Sequence, residues 1–254
     1  MKAVFDILRR RSSKEEAYRQ KIVFTCCEWN LTVALALRRI NAGGFVDENG
    51  NKVEPIRWEE GCGQKRCGAC AMLINGTPAL ACDARFKDGD EIWLEPLKKF
   101  PVVEDLLVDR GIMMANLKTL RLWAGEGSRV TEREFDNAYE ASLCLQCGCC
   151  LEACPEFQCG DKFFGAAGFV PNARRLLALP EEERAKLRKD YLKHIYEGCG
   201  KSLACRKICP AGIEIENMLV HSNAVAVWRR LQKIRFLRSH RENISHFIEE
   251  SNRL

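Results

Sequence analysis

Cysteine is the residue that most limits how this chain can fold. The sequence holds 15 cysteines among 254 residues, and eleven of them fall into three spaced groups. The groups are Cys62, Cys67, Cys70 and Cys82; Cys144, Cys147, Cys150 and Cys154; and Cys199, Cys205 and Cys209. The second and third groups each end directly before a proline, Pro155 and Pro210. Each group must gather its thiols at one point, so the fold has to be built around these points.

The first group has the spacing of a plant-type [2Fe–2S] ferredoxin. Glycines at 61, 63 and 68 permit a short loop to wrap closely around a cluster. The alternative is a zinc knuckle formed by Cys67 and Cys70. Zinc sites normally pair two such hooks, whereas only the single Cys82 follows here. The spacing therefore favours a [2Fe–2S] cluster on Cys62, Cys67, Cys70 and Cys82.

The second group has the spacing of a bacterial ferredoxin repeat, in which the cysteine before proline binds the other cluster. The third group keeps this frame, but Ser202 takes the place of the second cysteine. Exchanging the last cysteines assigns Cys144, Cys147, Cys150 and Cys209 to a [4Fe–4S] cluster. It leaves Cys154, Cys199 and Cys205, and three thiolates suit a [3Fe–4S] cluster. In the alternative interpretation, Ser202 or Cys159 completes a fourth corner.

The composition bears on compartment and partners. Fifteen cysteines behind an N-terminus that lacks the form of a secretory signal favour a reducing compartment, where thiols remain available for metals. The cysteines outside the three groups are interpreted as small buried hydrophobic residues: Cys26, Cys27, Cys149 and Cys159. A net charge of +5 without a base-reading motif argues against a zinc-bearing nucleic-acid binder, so no nucleic acid is expected. No run of 18 apolar residues predicts a membrane span.

Residues 1–100 are predicted to form a β-grasp [2Fe–2S] ferredoxin-like domain. Strand patterns cover 4–8, 21–25 and 91–94, and Asn75-Gly76 predicts a hairpin between 71–74 and 77–81. A short helix over 32–41 is expected to be capped by Asn30. Prolines at 96 and 101 bracket a predicted linker.

Residues 101–254 are predicted to form an all-α, bacterial-ferredoxin-like domain, which makes the chain α+β. Helical periodicity runs from Leu106 to Trp123, and Thr131 and Glu134 form a capping box for the helix before Cys144. A further helix is predicted from Pro180 to about residue 197, and a last one over about 213–247. The two cysteine groups that end in Cys-Pro indicate the duplicated layout of two-cluster ferredoxins.

The ordered set of motifs closely resembles the iron–sulfur subunit of succinate dehydrogenases and fumarate reductases. The resemblance is carried by the stretches 67–76, 94–97, 100–103 and 144–155, with the three cysteine groups in order, and it covers nearly the whole chain. It implies a chain without a substrate site of its own, which passes electrons from the FAD of a flavoprotein subunit through the three clusters to a quinone. The same subunit run in reverse would serve a quinol:fumarate reductase.

The resemblance also implies a location and further partners. The quinone would lie at a membrane-anchor subunit of the cytochrome b type, which carries haem b in part of the family. The chain would then be a peripheral protein on the cytoplasmic face of the cell membrane. The iron–sulfur subunit of another membrane-bound flavin oxidoreductase is the alternative.

One departure from the family concerns the quinone. Members that use ubiquinone typically carry tryptophan four or five residues after the last cysteine of the second group. They carry histidine directly after the first cysteine of the third group. Those positions are Gln158, Cys159 and Gly200 here, which favours menaquinone. Residues expected near the quinone are Pro155, Gly200 and Ser202. The basic segment 229–241 is interpreted as a solvated helix face, or alternatively as a contact with anionic lipid or the anchor.

Overall fold

The computed structural model describes residues 1–12, 14–122, 131–179 and 181–228. Its strands are β1 (Lys2–Arg9), β2 (Tyr18–Thr25), β3 (Ala71–Ile74), β4 (Thr77–Leu80), β5 (Glu91–Glu95), β6 (Val102–Glu104) and β7 (Leu107–Val108). Its α-helices are α1 (Val33–Ala42), α2 (Gly111–Thr119), α3 (Glu132–Ser142), α4 (Cys149–Ala153), α5 (Gly165–Ala178), α6 (Glu181–Tyr191), α7 (Ala204–Ile208) and α8 (Ile215–Asn223). Helices α6 and α8 each continue into a π-helical turn, Leu192–Tyr196 and Ala224–Trp228.

The N-terminal part is a mixed sheet with a helix packed on it. The strand order is β2-β1-β5-β3-β4, in which β1 and β5 are parallel and the other neighbours are antiparallel. Alternate residues of β1, such as Phe5 and Ile7, are fully buried, as expected for a strand with one face on a core. Phe5 meets Phe24 and Phe86 edge to face, with ring centroids 5.8 and 5.1 Å away. This is the β-grasp arrangement that the sequence predicts.

The predicted hairpin is confirmed, and the predicted helix cap is wrong. Asn75 and Gly76 form the turn with φ of 50° and 76°, both in the left-handed region that such a turn needs. Helix α1 is capped by Thr32, whose hydroxyl accepts from the amide of Leu35 at 3.3 Å. Asn30 lies two residues too early, and its φ of 60° belongs to the turn that leads into the helix.

The segment after β5 is built into the core. Leu97 is fully buried, and the Phe100 ring lies 6.1 Å from that of Phe157. The helical pattern predicted from Leu106 onward is wrong at its start, because β6 and β7 form a small antiparallel ladder before α2 begins. Spacing of a few apolar residues does not distinguish a short hairpin from a helix. The domain boundary at residue 100 stays a prediction.

A buried ion pair ties this segment to the sheet. The carboxylate of Asp105 accepts from Arg9 Nε at 2.9 Å, and the side chains are 2% and 4% exposed. It also accepts from the backbone amides of Arg10 and Arg57 at 3.0 and 2.9 Å. Asp105 thereby joins β1, the stretch before the first cysteine group and the β6–β7 turn.

The C-terminal part is mostly helical and has its own core. Helices α5, α6 and α8 bury apolar residues such as Phe169, Leu187 and Met218 in one cluster. The predicted helix before Cys144 is confirmed as α3, where the Phe135 amide donates to the Thr131 carbonyl. In the described ranges, no helix has the length and apolar character needed to cross a bilayer. Trp123, Pro180 and the basic segment 229–241 lie outside the described residues, as does the end of the last predicted helix.

Candidate metal centres

The first cysteine group is assembled by the β3–β4 hairpin. Cys62, Cys67 and Cys70 lie in the loop before β3, and Cys82 follows β4. Antiparallel pairing of Ala71 with Leu80 brings the two ends of the hairpin side by side. The amide of Ala81 donates to the Cys70 carbonyl at 3.0 Å, which fixes Cys70 next to Cys82. The turn at Asn75-Gly76 is therefore what delivers the fourth thiol.

Backbone amides in this loop point at sulfur atoms. Cys62 Sγ accepts from the amides of Gln64, Arg66 and Cys67 at 3.4, 3.2 and 3.3 Å. Cys82 Sγ accepts from the Lys65 amide at 3.2 Å. The bonds from Gln64 and Arg66 lower the pKa of Cys62 to about 7, because they stabilise the charged sulfur. The backbone of the loop thus favours the thiolate form of Cys62.

The inner pair of this group is buried. Cys70 and Cys82 are 5% and 9% exposed. Burial raises the pKa of Cys70 to about 12, and the neighbouring sulfurs of Cys82 and Cys67 add to the shift. Buried thiols of this kind lose their protons when they bind a metal. Arg38 lies beside this loop, pairs with Glu60 at 2.6 Å and is close enough to Cys70 and Cys82 for their charge to raise its pKa further.

A second cavity brings together the four thiols that the exchanged assignment groups. Its lining includes Cys144, Cys147, Cys150 and Cys209, and its other walls are largely apolar side chains of α5 and of the stretch after α7. Burial raises the pKa of Cys144, and the nearby sulfurs of Cys147 and Cys209 contribute. Cys209 is 59 or more residues from the others in sequence, so the ends of α4 and α7 create this site. Four convergent thiols in an apolar pocket fit a [4Fe–4S] cluster.

Two neighbouring side chains act directly on these thiols. Gln146 Nε2 donates to Cys144 Sγ at 3.2 Å and to the Ala167 carbonyl at 3.1 Å. Cys149, which is fully buried, hydrogen-bonds to Cys147. That bond lowers the pKa of Cys147 to about 7 and raises the pKa of Cys149 far above its usual range. Cys149 is therefore placed to donate its thiol hydrogen to Cys147 beside the site.

The third cavity is lined by Cys154, Cys199 and Cys205, together with Ser202 and Gly200. Its inner wall is apolar and includes Phe163, Phe169 and Ile195. Burial raises the pKa of Cys205 to about 11, and Cys154 and Cys199 lie near enough to add to it. Three thiols with a serine at the fourth side fit a [3Fe–4S] cluster. Cys159 is exposed and is not part of this lining, whereas Ser202 is.

The three centres form a row because their loops touch. A Cβ on Gly68, in the first loop, would lie 2.8 Å from Cys147 Cβ and 2.6 Å from the Leu145 carbonyl oxygen. On the other side, Cys150 lies near Cys205. Burial is the main reason why the pKa of Cys150 is raised, the sulfurs of Cys147 and Cys144 add to it, and the sulfur of Cys205 comes next. The second centre is therefore the middle one.

Each cysteine loop also contains non-glycine residues in the left-handed region. Lys65 has φ of 58° in the first loop, and Gln146 has φ of 50° in the second. The third has Lys201 and Leu203, with φ of 58° and 56°. Such residues cost about 1–3 kcal/mol each and concentrate at functional sites. Among the described residues, Asn30, Asn75, Asp105 and Arg121 share this conformation in other connections, so it is common to the three loops but not confined to them.

The remaining cysteines are only partly as predicted. Cys149 is buried and Cys26 is half-buried, but Cys27 and Cys159 are exposed. The buried interpretation is wrong for those two, because they lie in turns outside both cores.

Among the described residues, no group of three or more His, Cys, Asp or Glu is close enough to hold a single metal ion.

Comparisons with known proteins place the chain in a family. A model of the "2Fe-2S iron-sulfur cluster binding domain" matches residues 5–115, and one of the "4Fe-4S dicluster domain" matches residues 140–213. The succinate dehydrogenase iron–sulfur subunit of Bacillus subtilis is 37% identical over 211 residues, which are 76% of this chain and 81% of that protein. The chain belongs to the iron–sulfur subunits of succinate dehydrogenases and fumarate reductases.

Further matches agree with this membership. The fumarate reductase iron–sulfur subunit of Wolinella succinogenes is 31% identical over 172 residues, covering 61% of this chain and 71% of that protein. A solved chain from the "Mycobacterium smegmatis Sdh1 complex in the apo form" has a TM-score of 0.68 at 18% identity, over 88% of this iron–sulfur subunit and 96% of that chain. The latter likeness concerns the fold, and it agrees with the predicted α+β architecture.

These matches confirm the predicted family, the two ferredoxin-like parts and the [2Fe–2S] and [4Fe–4S] cofactors. They identify the chain as a subunit of an oxidoreductase complex. The assignment of individual cysteines, the [3Fe–4S] cluster and the residues near the quinone stay predictions. Of the latter, Gly200 and Ser202 line the third cavity and are exposed, and Pro155 is exposed next to Cys154.

Sequence reasoning missed the polar residues that surround the cysteines. Arg110 donates to backbone carbonyls of both the first and the second cysteine loops. Gln146 donates to a thiol, and Arg38 lies along the first loop. No motif marks any of them. The position of Gln146 between Cys144 and Cys147 is the one sequence signal that could have indicated a hydrogen bond to a thiol.

Proposed function

We propose that this iron–sulfur subunit relays single electrons along a row of three clusters. The ligand sets are Cys62, Cys67, Cys70 and Cys82 for [2Fe–2S]; Cys144, Cys147, Cys150 and Cys209 for [4Fe–4S]; and Cys154, Cys199 and Cys205 for [3Fe–4S]. The observation that carries the proposal is the contact of the middle cysteine loop with both of its neighbours, through Gly68 on one side and through the packing of α4 against α7 on the other.

When bound, the clusters supply one-electron oxidation and reduction at potentials that depend on hydrogen bonds to sulfur and on burial. The chain's own residues set those conditions. Amides in the first loop donate to Cys62 and Cys82, and the Gln146 side chain donates to Cys144. Apolar side chains such as Phe163 and Phe169 wall the third cavity against water. No group in this relay has to make or break a bond of a substrate.

The two ends of the row suit different partners. At one end Cys67 is exposed and Cys62 is half-buried, which suits electron entry from the FAD of a flavoprotein subunit. At the other end Pro155, Gly200 and Ser202 are exposed at the third cavity, which suits a quinone at a membrane-anchor subunit. We propose menaquinone there, because Gly200 replaces the histidine typical of ubiquinone users. The complex would sit on the cytoplasmic face of the cell membrane, with haem b on the anchor.

The direction of electron flow has two candidates. One matched relative carries the name of a succinate dehydrogenase subunit and another that of a fumarate reductase subunit. We propose succinate oxidation as the working direction and quinol:fumarate reduction as the alternative. Assays of the isolated complex with succinate plus a menaquinone analogue, and with its quinol plus fumarate, distinguish them by the faster rate.

The cluster assignment is tested on the whole complex purified without air. We expect about nine iron and ten acid-labile sulfide per chain. The oxidised protein should give a [3Fe–4S] signal in low-temperature electron paramagnetic resonance (EPR), and the reduced protein a [2Fe–2S] signal. Cys205→Ala should remove the former alone, while Cys159→Ala, the matched control, should leave both unchanged. Iron-free protein, or an oxidised spectrum without signal, would contradict the proposal.

A further inference from the structure

Arg110 contacts both the first and the second cysteine loops. Its Nη1 donates to the carbonyl of Gly68 at 3.1 Å and to that of Cys147 at 2.9 Å. Its Nη2 donates to the carbonyl of Ala69 at 2.9 Å and pairs with the carboxylate of Glu59. One planar guanidinium thus spans backbone atoms from loops about eighty residues apart, a task that suits its rigid fork of donors.

The Arg110 side chain lies in a setting where its charge is felt. It is 14% exposed, so solvent screens it less than an ordinary surface arginine. The carbonyls it binds belong to Cys147 itself and to the two residues between Cys67 and Cys70. The positive charge therefore lies beside both sets of thiolates, at the same place where Gly68 meets the backbone of the second loop.

Glu59 pairs with Arg110, and water screens its carboxylate more than it screens the guanidinium. Glu59 is 49% exposed and precedes the first cysteine loop, so its carboxylate lies at the solvent side of the pair. Nη2 serves both the Glu59 carboxylate and the Ala69 carbonyl, and Nη1 serves the carbonyls of Gly68 and Cys147. The arginine therefore binds Glu59 and both cysteine loops at once through its two terminal nitrogens.

We propose that Arg110 is a positioning residue for electron transfer between the first and second centres. It fixes the separation of the two cysteine loops and places one positive charge that favours the reduced form of both. The step it serves moves one electron from one centre to the other, so that one is oxidised and the other reduced by one electron, with no proton transferred. This inference rests on the proposed function, because it requires clusters on both cysteine groups.

The test compares three variants of the whole complex. Arg110→Met removes charge and fork together, and Arg110→Lys keeps the charge but loses the planar fork. Arg38→Met is the matched control, because Arg38 lies beside the first loop, where a Cβ on Gly63 would meet its Nη2 at 3.2 Å. Midpoint potentials come from EPR-monitored redox titration, and the dipolar interaction between the two reduced centres reports their separation. Iron and sulfide content is measured for each protein.

We expect Arg110→Met to raise the ratio of oxidised to reduced protein at both centres about tenfold at a fixed ambient potential. That ratio corresponds to about 59 mV for a one-electron couple. Arg38→Met should shift only the first centre. Arg110→Lys should keep both potentials near the wild-type values but alter the dipolar interaction, since one ammonium cannot hold three carbonyls in plane.

Two results would overturn the inference. One is an Arg110→Met protein with wild-type potentials, or with a shift at the first centre alone as in Arg38→Met. The other is an unchanged dipolar interaction in both Arg110 variants. Should Arg110→Met lose its iron, Arg110→Lys carries the test through the dipolar interaction. A failure of the proposed function differs from these, because it appears as missing clusters in the wild-type complex.

Discussion

The contact at Gly68 allows a sharp test of how closely the first two cysteine loops approach. Gly68 has φ of +73°, and a Cβ there would lie 2.6 Å from the Leu145 carbonyl oxygen and 3.0 Å from Cys147 Cα. Both neighbours are backbone atoms, so no side-chain rotation can relieve the overlap. Gly76 is a matched control, because its φ is +76° and a Cβ there would meet nothing within 4 Å.

The two substitutions differ in one energy term. Alanine in the left-handed region costs about 1–2 kcal/mol at either position. At Gly68 the overlap adds about 1–3 kcal/mol, the range seen when extra carbon is forced into packed sites. We therefore expect Gly68→Ala to lower the free energy of unfolding by about 2–5 kcal/mol, and Gly76→Ala by about 1–2 kcal/mol. Gly68→Ala should also weaken the Arg110 contacts, since the loops must separate.

The assay is urea unfolding without air. Unfolding is monitored by the loss of visible absorption as the clusters are released. The two variants and the wild type are compared by their midpoints under identical conditions. A Gly68→Ala midpoint equal to that of Gly76→Ala would refute the reasoning, because it would mean that the two loops do not meet at this point.

Three more outcomes follow from the structure. Gln146→Leu removes a hydrogen bond to a thiolate, worth about 1.5–3 kcal/mol, and should lower the [4Fe–4S] potential by about 60 mV or more in a redox titration; an unchanged potential contradicts it. Asp105→Ala leaves the buried Arg9 with hydrogen bonds only to the uncharged oxygens of Gln20, Glu54 and Pro55. It should lower the free energy of unfolding by about 3–5 kcal/mol, against about 1 kcal/mol or less for Glu104→Ala in an exposed pair; equal losses in thermal unfolding contradict it. Ser202→Cys should abolish the oxidised [3Fe–4S] signal in EPR, because a fourth thiolate fills the open corner; a persistent signal would place Ser202 elsewhere.

The β-grasp sheet could be predicted from sequence because its signals are local. The Asn75-Gly76 turn needs left-handed backbone at both positions, and these two residue types supply it. The cysteine groups were visible for a related reason, since ligand spacing is a property of the chain itself. Gathering Cys209 with Cys144 followed from the known exchange of ligands between ferredoxin repeats.

Features that depend on distant segments could not be predicted. Leu106 and Leu107 fit a helical pattern, but pairing with Val102–Glu104 and the buried carboxylate of Asp105 fix a turn there. Arg110 gave no signal at all, because its partners at 68, 69 and 147 are far away in sequence. Thr32 rather than Asn30 caps the first helix, because helical geometry begins only at Val33, directly after the extended backbone of Thr32.

The left-handed residues Lys65, Gln146, Lys201 and Leu203 have a consequence for the metal-free chain. A return to right-handed backbone would lower the free energy of each residue by about 1 kcal/mol or more, so something must hold it in the left-handed region. Binding energy from the clusters opposes it, since for such sites metal affinity is also folding energy. Stripping the iron should therefore let all three loops relax together, and reloading should be slow because the strained turns must be rebuilt before the thiols converge again.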